Sequence, residues 1–232
     1  MAEMTRDYSG EKVTTPLASR SAPTAGAWLA TASVLIVLVL IGHGPLSPDL
    51  GEQMRRVADG ALRWTVVHWM AAASLSLYAG AGLLVLTART RLTESPWTLS
   101  AWVVVTLGSL WTLTTAIAEA TVIAAAATTG ATGTFEAWWA FAAGKANGFA
   151  FVALAVAVIA GHEARSPERV TPAWAASIAV VAALASFAGW ALSMWLGVGP
   201  ASLLWVVSSV LMSAWTAWFG VGLARQAEPT GD

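Results

Sequence analysis

The chain has no cysteine. This excludes disulfides, thiolate nucleophiles, cysteine-ligated iron–sulfur clusters and the attachment signature of c-type haem. Charge is scarce too: Asp, Glu, Lys and Arg make up 11% of 232 residues, against about 25% in a globular domain. A formal net charge of −1 provides no basic surface for nucleic acid and no acidic tail. No H-E-x-x-H metal motif and no G-x-S-x-G elbow occurs, so hydrolase chemistry has no positive signal and no catalytic residue or metal ligand set is assigned.

Apolar residues fill the chain instead, at 57% of the total and a mean hydropathy of +0.66. The missing charge is most simply explained if much of the surface faces lipid. A membrane-crossing helix needs roughly 20 apolar residues, so the length suits about six spans with short connections and no separate soluble domain. The expected fold is all-α: a polytopic integral membrane protein with a six-helix transmembrane bundle. Spans are expected at about 27–42, 64–87, 97–127, 135–160, 172–196 and 201–224. These long runs lack the alternation of a barrel, and only helices or closed barrels satisfy their backbones in lipid. Ser95-Pro96, Thr171-Pro172 and Gly199-Pro200 punctuate three of the starts, because proline at the first helical position replaces an amide that has no helical partner.

Residues 1–26 mix charge with Ser, Thr and Pro and are read as a disordered cytoplasmic tail; 226–232 form a second cytoplasmic tail. The first apolar run follows a long charged leader and lacks a small-x-small cleavage site before His43 and Pro45, which favours an uncleaved span. With the N-terminus inside, Arg6, Lys12, Arg20, Arg89, Arg91, Arg165, Arg169 and Arg225 fall on the inner side, against Arg55, Arg56 and Arg63 outside. That asymmetry predicts a multi-pass protein of the cell membrane with both termini cytoplasmic. The fourteen tryptophans fit two interfacial belts, with a ligand pocket lined by aromatics as the sharper alternative. Between the first two spans, Ser47-Pro48-Asp49 reads as a helix start. Leu50, Met54, Val57 and Leu62 then recur at near-helical spacing. A short extracytoplasmic amphipathic helix is expected there, lying on the membrane or capping the bundle.

Glu119 and Lys145 are the charges set well inside apolar runs. Each costs about 2.5–3.5 kcal/mol at a helix centre on insertion scales and marks a functional site by default. Helical rise puts Glu119 roughly 9 Å and Lys145 roughly 13 Å from the outer ends of their spans, which predicts an ion pair between them. Gly108, Thr112, Thr115 and Glu119 share one helix face, while Trp138 and Phe141 flank Lys145 for cation–π contact. His68 lies at the depth of Glu119, where an imidazole can relay a proton, ligate metal or haem, or simply bond a carbonyl.

Together these residues define an expected outer-half pocket. His68, Glu119, Lys145 and Thr115 form it, Trp64, Trp138 and Trp139 roof it, and His43, Asp49 and Glu136 stand at its rim. Such a pocket binds or transports a small ligand or a proton, Lys145 taking an anionic group; the sequence leaves any cofactor unspecified. The alternatives are a structural or accessory subunit of a membrane complex, with the ion pair as helix glue, and a b-type haem or quinone protein with His43 and His68 as axial ligands. Partners in each case are the lipid bilayer and a small ligand, a second copy or a membrane complex, and not nucleic acid. The last two spans carry no charge from Pro172 to Ala224 and read as scaffold or partner surface.

Overall fold

The computed structural model describes residues 16–44, 46–47, 49–88, 90–142 and 148–226, and every regular element among them is helical. In chain order these are α1 (Pro16–His43), α2 (Leu50–Asp59), α3 (Ala61–Ala88), α4 (Pro96–Thr129), α5 (Thr132–Ala140), α6 (Phe149–Arg165), α7 (Ala173–Trp195) and α8 (Ala201–Arg225). A short 3₁₀ turn, Arg91–Thr93, precedes α4. Single π turns interrupt α4 at Glu119–Ile123 and close α7 at Ala191–Trp195.

Five of these helices, α1, α3, α4, α7 and α8, are long and apolar enough to cross a membrane. The pattern of burial agrees with that reading. Ala153, Ala160, Ala176, Ala179 and Ala183 are fully buried, whereas Leu107, Val181 and Leu203 are 61%, 68% and 69% exposed. Large side chains such as Trp102, Phe219 and Leu75 are buried as well, but many large aliphatic side chains stand exposed on the perimeter, which suits a surrounding apolar solvent. The chain is therefore a multi-pass membrane protein.

The helices close into a ring. α1 packs between α3 and α8, α4 between α3 and α6, and α7 between α6 and α8. Small residues set the closest approaches. A Cβ on Gly26 would lie 2.5 Å from the carbonyl oxygen of Gly220, and one on Gly148 would lie 2.6 Å from that of Gly108, so the α1–α8 and α4–α6 seams are backbone against backbone. Side-chain hydroxyls add cross-links: Ser74 donates to the Ala32 carbonyl at 2.7 Å, and Ser186 and Ser209 lie 2.8 Å apart.

Several expectations need correction. The single fourth span expected at 135–160 is described as two pieces, α5 and α6, with α6 only 17 residues long. Residues 143–147 between them lie outside the described residues, and Gly148, which immediately precedes α6, is a weak helix former. The tail expected through residue 26 is helical from Pro16, because Ala25 and Gly26 pack against α8. Residues 1–15 and 227–232, the remainder of the two expected tails, lie outside the described residues. Ser95 caps α4 as expected, its hydroxyl accepting from the Trp97 amide. Thr171 and Gly199 instead sit one residue before Pro172 and Pro200, which are themselves the caps. The Thr171 hydroxyl accepts from the Trp215 indole at 3.2 Å, so a tertiary contact outcompetes local capping.

A helix does stand between the first two long ones. Asp49 caps α2 by accepting from the Glu52 amide at 2.6 Å. Its buried face is Gln53 and Val57, packed on the end of α4 and on α5. Leu62 is not on that face: the chain turns at Gly60, and Leu62 belongs to α3, 80% exposed.

Candidate functional site

The π turn in α4 begins at Glu119, and such turns concentrate at functional sites. Where the helical ladder changes register, the indole of Trp64 on α3 donates to the Glu119 main-chain carbonyl at 3.1 Å. The Glu119 side chain, buried, meets His68 Nε2. His68 Nδ1 stands 2.7 Å from the Trp64 carbonyl. A carbonyl only accepts, so Nδ1 carries a hydrogen and Nε2 faces the carboxylate across one shared proton. The Trp64 ring lies 4.3 Å from the His68 ring and holds it from one side.

His43, at the end of α1, completes the group. Its ring lies 5.2 Å from His68 and 4.8 Å from Trp64, and its Nδ1 hydrogen-bonds the Gly44 carbonyl at 3.1 Å. One donor atom each from His43, His68 and Glu119 lies within 4.8 Å of the other two. These are the atoms that could hold a metal ion. The expected pairing of Glu119 with Lys145 is not what the described residues present: the carboxylate is taken by His68, and Lys145 lies outside the described residues.

A cavity of about 100 Å³ opens beside this group, with a wall from every helix of the ring. His43, His68, Thr115 and Glu119 line it, together with Trp139, Trp190 and Trp205. Thr115 donates its hydroxyl to the Thr112 carbonyl at 2.8 Å and turns the rest of its side chain to the cavity. On the far side of His43 a wider vestibule of about 480 Å³ is bounded by Gln53, Arg56, Asp59, Arg63 and Trp64. His43 and Gly44 border both spaces.

Of the expected roof and rim, Trp64 and His43 lie in this cluster, while Trp138, Asp49 and Glu136 do not line the cavity among the described residues. Trp138 is 40% exposed and packs edge-on against Phe141. Helical geometry separates adjacent residues by 100°, which is why Trp139 rather than Trp138 turns inward. Asp49 is spent on capping α2, and Glu136 is exposed. A porphyrin between His43 and His68 does not fit, because even drug-sized ligands occupy pockets of about 300 Å³ or more.

Two groups of residues escaped the sequence reading. Trp190 and Trp205 come from the helices read as scaffold, and their rings pack 4.9 Å apart at the cavity wall. Both indole N–H groups are buried without an acceptor among the described residues, and unsatisfied buried donors call for a partner. At the opposite end, Glu163 is fully buried and takes hydrogen bonds from Arg91 at 3.0 Å and from the amides of Val170 and Thr171. Its position offered a signal: an acidic residue in the last turn of a helix opposes the helix dipole, and so needs a dedicated partner.

Fold and site together define a multi-pass helical membrane protein with a buried histidine–glutamate pair beside an internal cavity. No family model, curated protein or solved structure matches the chain.

Proposed function

We propose that the protein is a six-span membrane protein of the cell membrane that binds a small polar ligand in the cavity beside His68 and Glu119. α6 counts as the missing span: it occupies a full place in the ring, and 17 residues is the short end of what crosses a bilayer. Both termini are cytoplasmic, by the excess of arginine and lysine in the inner connections. α2, the vestibule and the cavity then lie toward the outer face.

The observation that carries this reading is the chemistry of the cavity wall. Simple helix glue needs no cavity, yet the buried pair opens on a space walled by residues from every helix of the ring, Trp190 and Trp205 among them. At about 100 Å³, the space suits an ion with a few waters or a molecule of a few heavy atoms rather than a large cofactor.

Because the chain has no cysteine, a single introduced thiol reports access without background. Thr115→Cys in intact cells is expected to react with a small membrane-impermeant thiol reagent added outside, and Leu107→Cys on the lipid-facing perimeter is not. A Thr115→Cys protein inert to the reagent from both sides of the membrane refutes an accessible pocket. Reaction only from the cytoplasmic side reverses the orientation.

A further inference from the structure

We infer that His43, His68 and Glu119 bind a divalent first-row transition metal ion. The inference rests on the pocket reading above and adds a metal ion to which the small ligand of that pocket would bind. Three features support it. The donor set is two imidazoles and one carboxylate, converging within 4.8 Å; that mixture selects zinc, iron, cobalt or manganese over magnesium and calcium, which take oxygen cages. Both rings are already oriented as metal-binding histidines are, with Nδ1 tied to a main-chain carbonyl, Gly44 for His43 and Trp64 for His68. That arrangement leaves the lone pair on Nε2 and fixes the ring plane. Finally, three protein donors beside a cavity leave a coordination position for a small ligand, the pattern of open rather than structural sites.

The geometry needs little rearrangement. Metal bonds of about 2.0–2.2 Å set neighbouring donors roughly 3–4 Å apart, so His43, the half-buried member at the mouth of the vestibule, moves inward by about an ångström. The hydrogen bond between His68 and Glu119 opens as the ion enters. Its proton leaves: protonated pair plus M²⁺ becomes metal-bound pair plus H⁺, released to water through the vestibule. The buried carboxylate keeps a counter-charge throughout.

The test uses the full chain, tag removed, in nanodiscs, with Co²⁺ alone as the probe. Equilibrium dialysis and visible absorption are expected to show one Co²⁺ per chain with the d–d bands of nitrogen and oxygen ligation, displaced by Zn²⁺. His43→Ala is the primary variant because His43 makes no ion pair that the ring depends on; it and Glu119→Gln are expected to weaken Co²⁺ binding by more than about tenfold. His162→Ala, at the other end of α6, is expected to bind as wild type. Absence of stoichiometric Co²⁺, or His43→Ala binding like wild type, overturns the metal site. If Co²⁺ fails while Thr115→Cys still reacts from outside, the metal inference falls and the pocket stands. Failure of the thiol reaction strikes the pocket reading itself, and stoichiometric Co²⁺ lost in His43→Ala upholds the metal site in either case.

Discussion

His68 and Glu119 meet across the α3–α4 interface with the imidazole's other nitrogen already bound to the Trp64 carbonyl, so a single proton serves both buried groups. Removing one member of a buried charged pair costs about 3–5 kcal/mol, because the survivor stays buried without its partner; replacing both by apolar residues of similar volume is often neutral. His68→Ala is expected to lower the thermal unfolding midpoint in detergent sharply. Glu119→Gln should cost less, since its amide N–H still donates to Nε2. The double variant His68→Leu with Glu119→Met should recover most of the loss, and a single His68→Ala as stable as wild type contradicts the pair's structural weight.

At the other end of the bundle, the Arg91 guanidinium reaches Glu163 at 3.0 Å with one amino group and Ser166 at 3.3 Å with the other. It thereby ties the approach to α4 to the α6–α7 connection. Arg91→Lys keeps the charge but loses the fork that spans two partners. Both Arg91→Lys and Arg91→Ala are expected to raise hydrogen exchange in 166–172, Arg91→Ala by more. Unchanged exchange there in Arg91→Ala would show that the two main-chain amides alone hold Glu163.

The α1–α8 seam is predicted to be intolerant of a single methyl group. A Cβ on Gly220 would lie 2.6 Å from the Gly26 carbonyl oxygen and 2.7 Å from the Ala30 amide nitrogen. Main chain cannot rotate aside as a side chain does. Gly220→Ala is expected to destabilise by about 1–3 kcal/mol, the usual cost of overpacking, measurable by thermal unfolding. Gly133→Ala, where a Cβ meets nothing within 4 Å, serves as the control and should be neutral or slightly stabilising.

A pH dependence is expected at α2. The Ser47 hydroxyl donates to Glu52 at 2.7 Å, and Arg56 one turn on pairs with it. The Ser47 hydrogen bond, then Arg56, hold the Glu52 carboxyl below the usual range. A depressed value means the contribution is present above the unfolded-state pKa of about 4.3 and is lost as pH falls through the lower folded value. Amide protection in α2 should therefore weaken on acidification below that range. Glu52→Gln should already be weakened at neutral pH and show less further change, and identical acid profiles for the two proteins would refute the assignment.

The helices were legible because their signals are local. Apolar run length marked α1, α3, α4, α7 and α8, and the cap at Ser95 depends on an amide two positions away. Partners were not. Glu119 pairs with His68 from another helix, Trp190 and Trp205 reach the cavity from helices without charge, and Thr171 gives its hydroxyl to Trp215 rather than to its own helix. The π turn at Glu119 also shifts the register of α4, which a constant 100° step cannot anticipate.

By itself, then, the sequence determined that this is an all-helical chain made for an apolar solvent and that Glu119 and His68 are out of place in it. Hydropathy and capping act between near neighbours, so they survive without knowledge of the fold. Tertiary structure alone decided which charges meet. Closing the ring turns α1, α3 and α4 so that His43, His68 and Glu119 converge on one space, and the relative rotation of packed helices is set by the small residues at their seams.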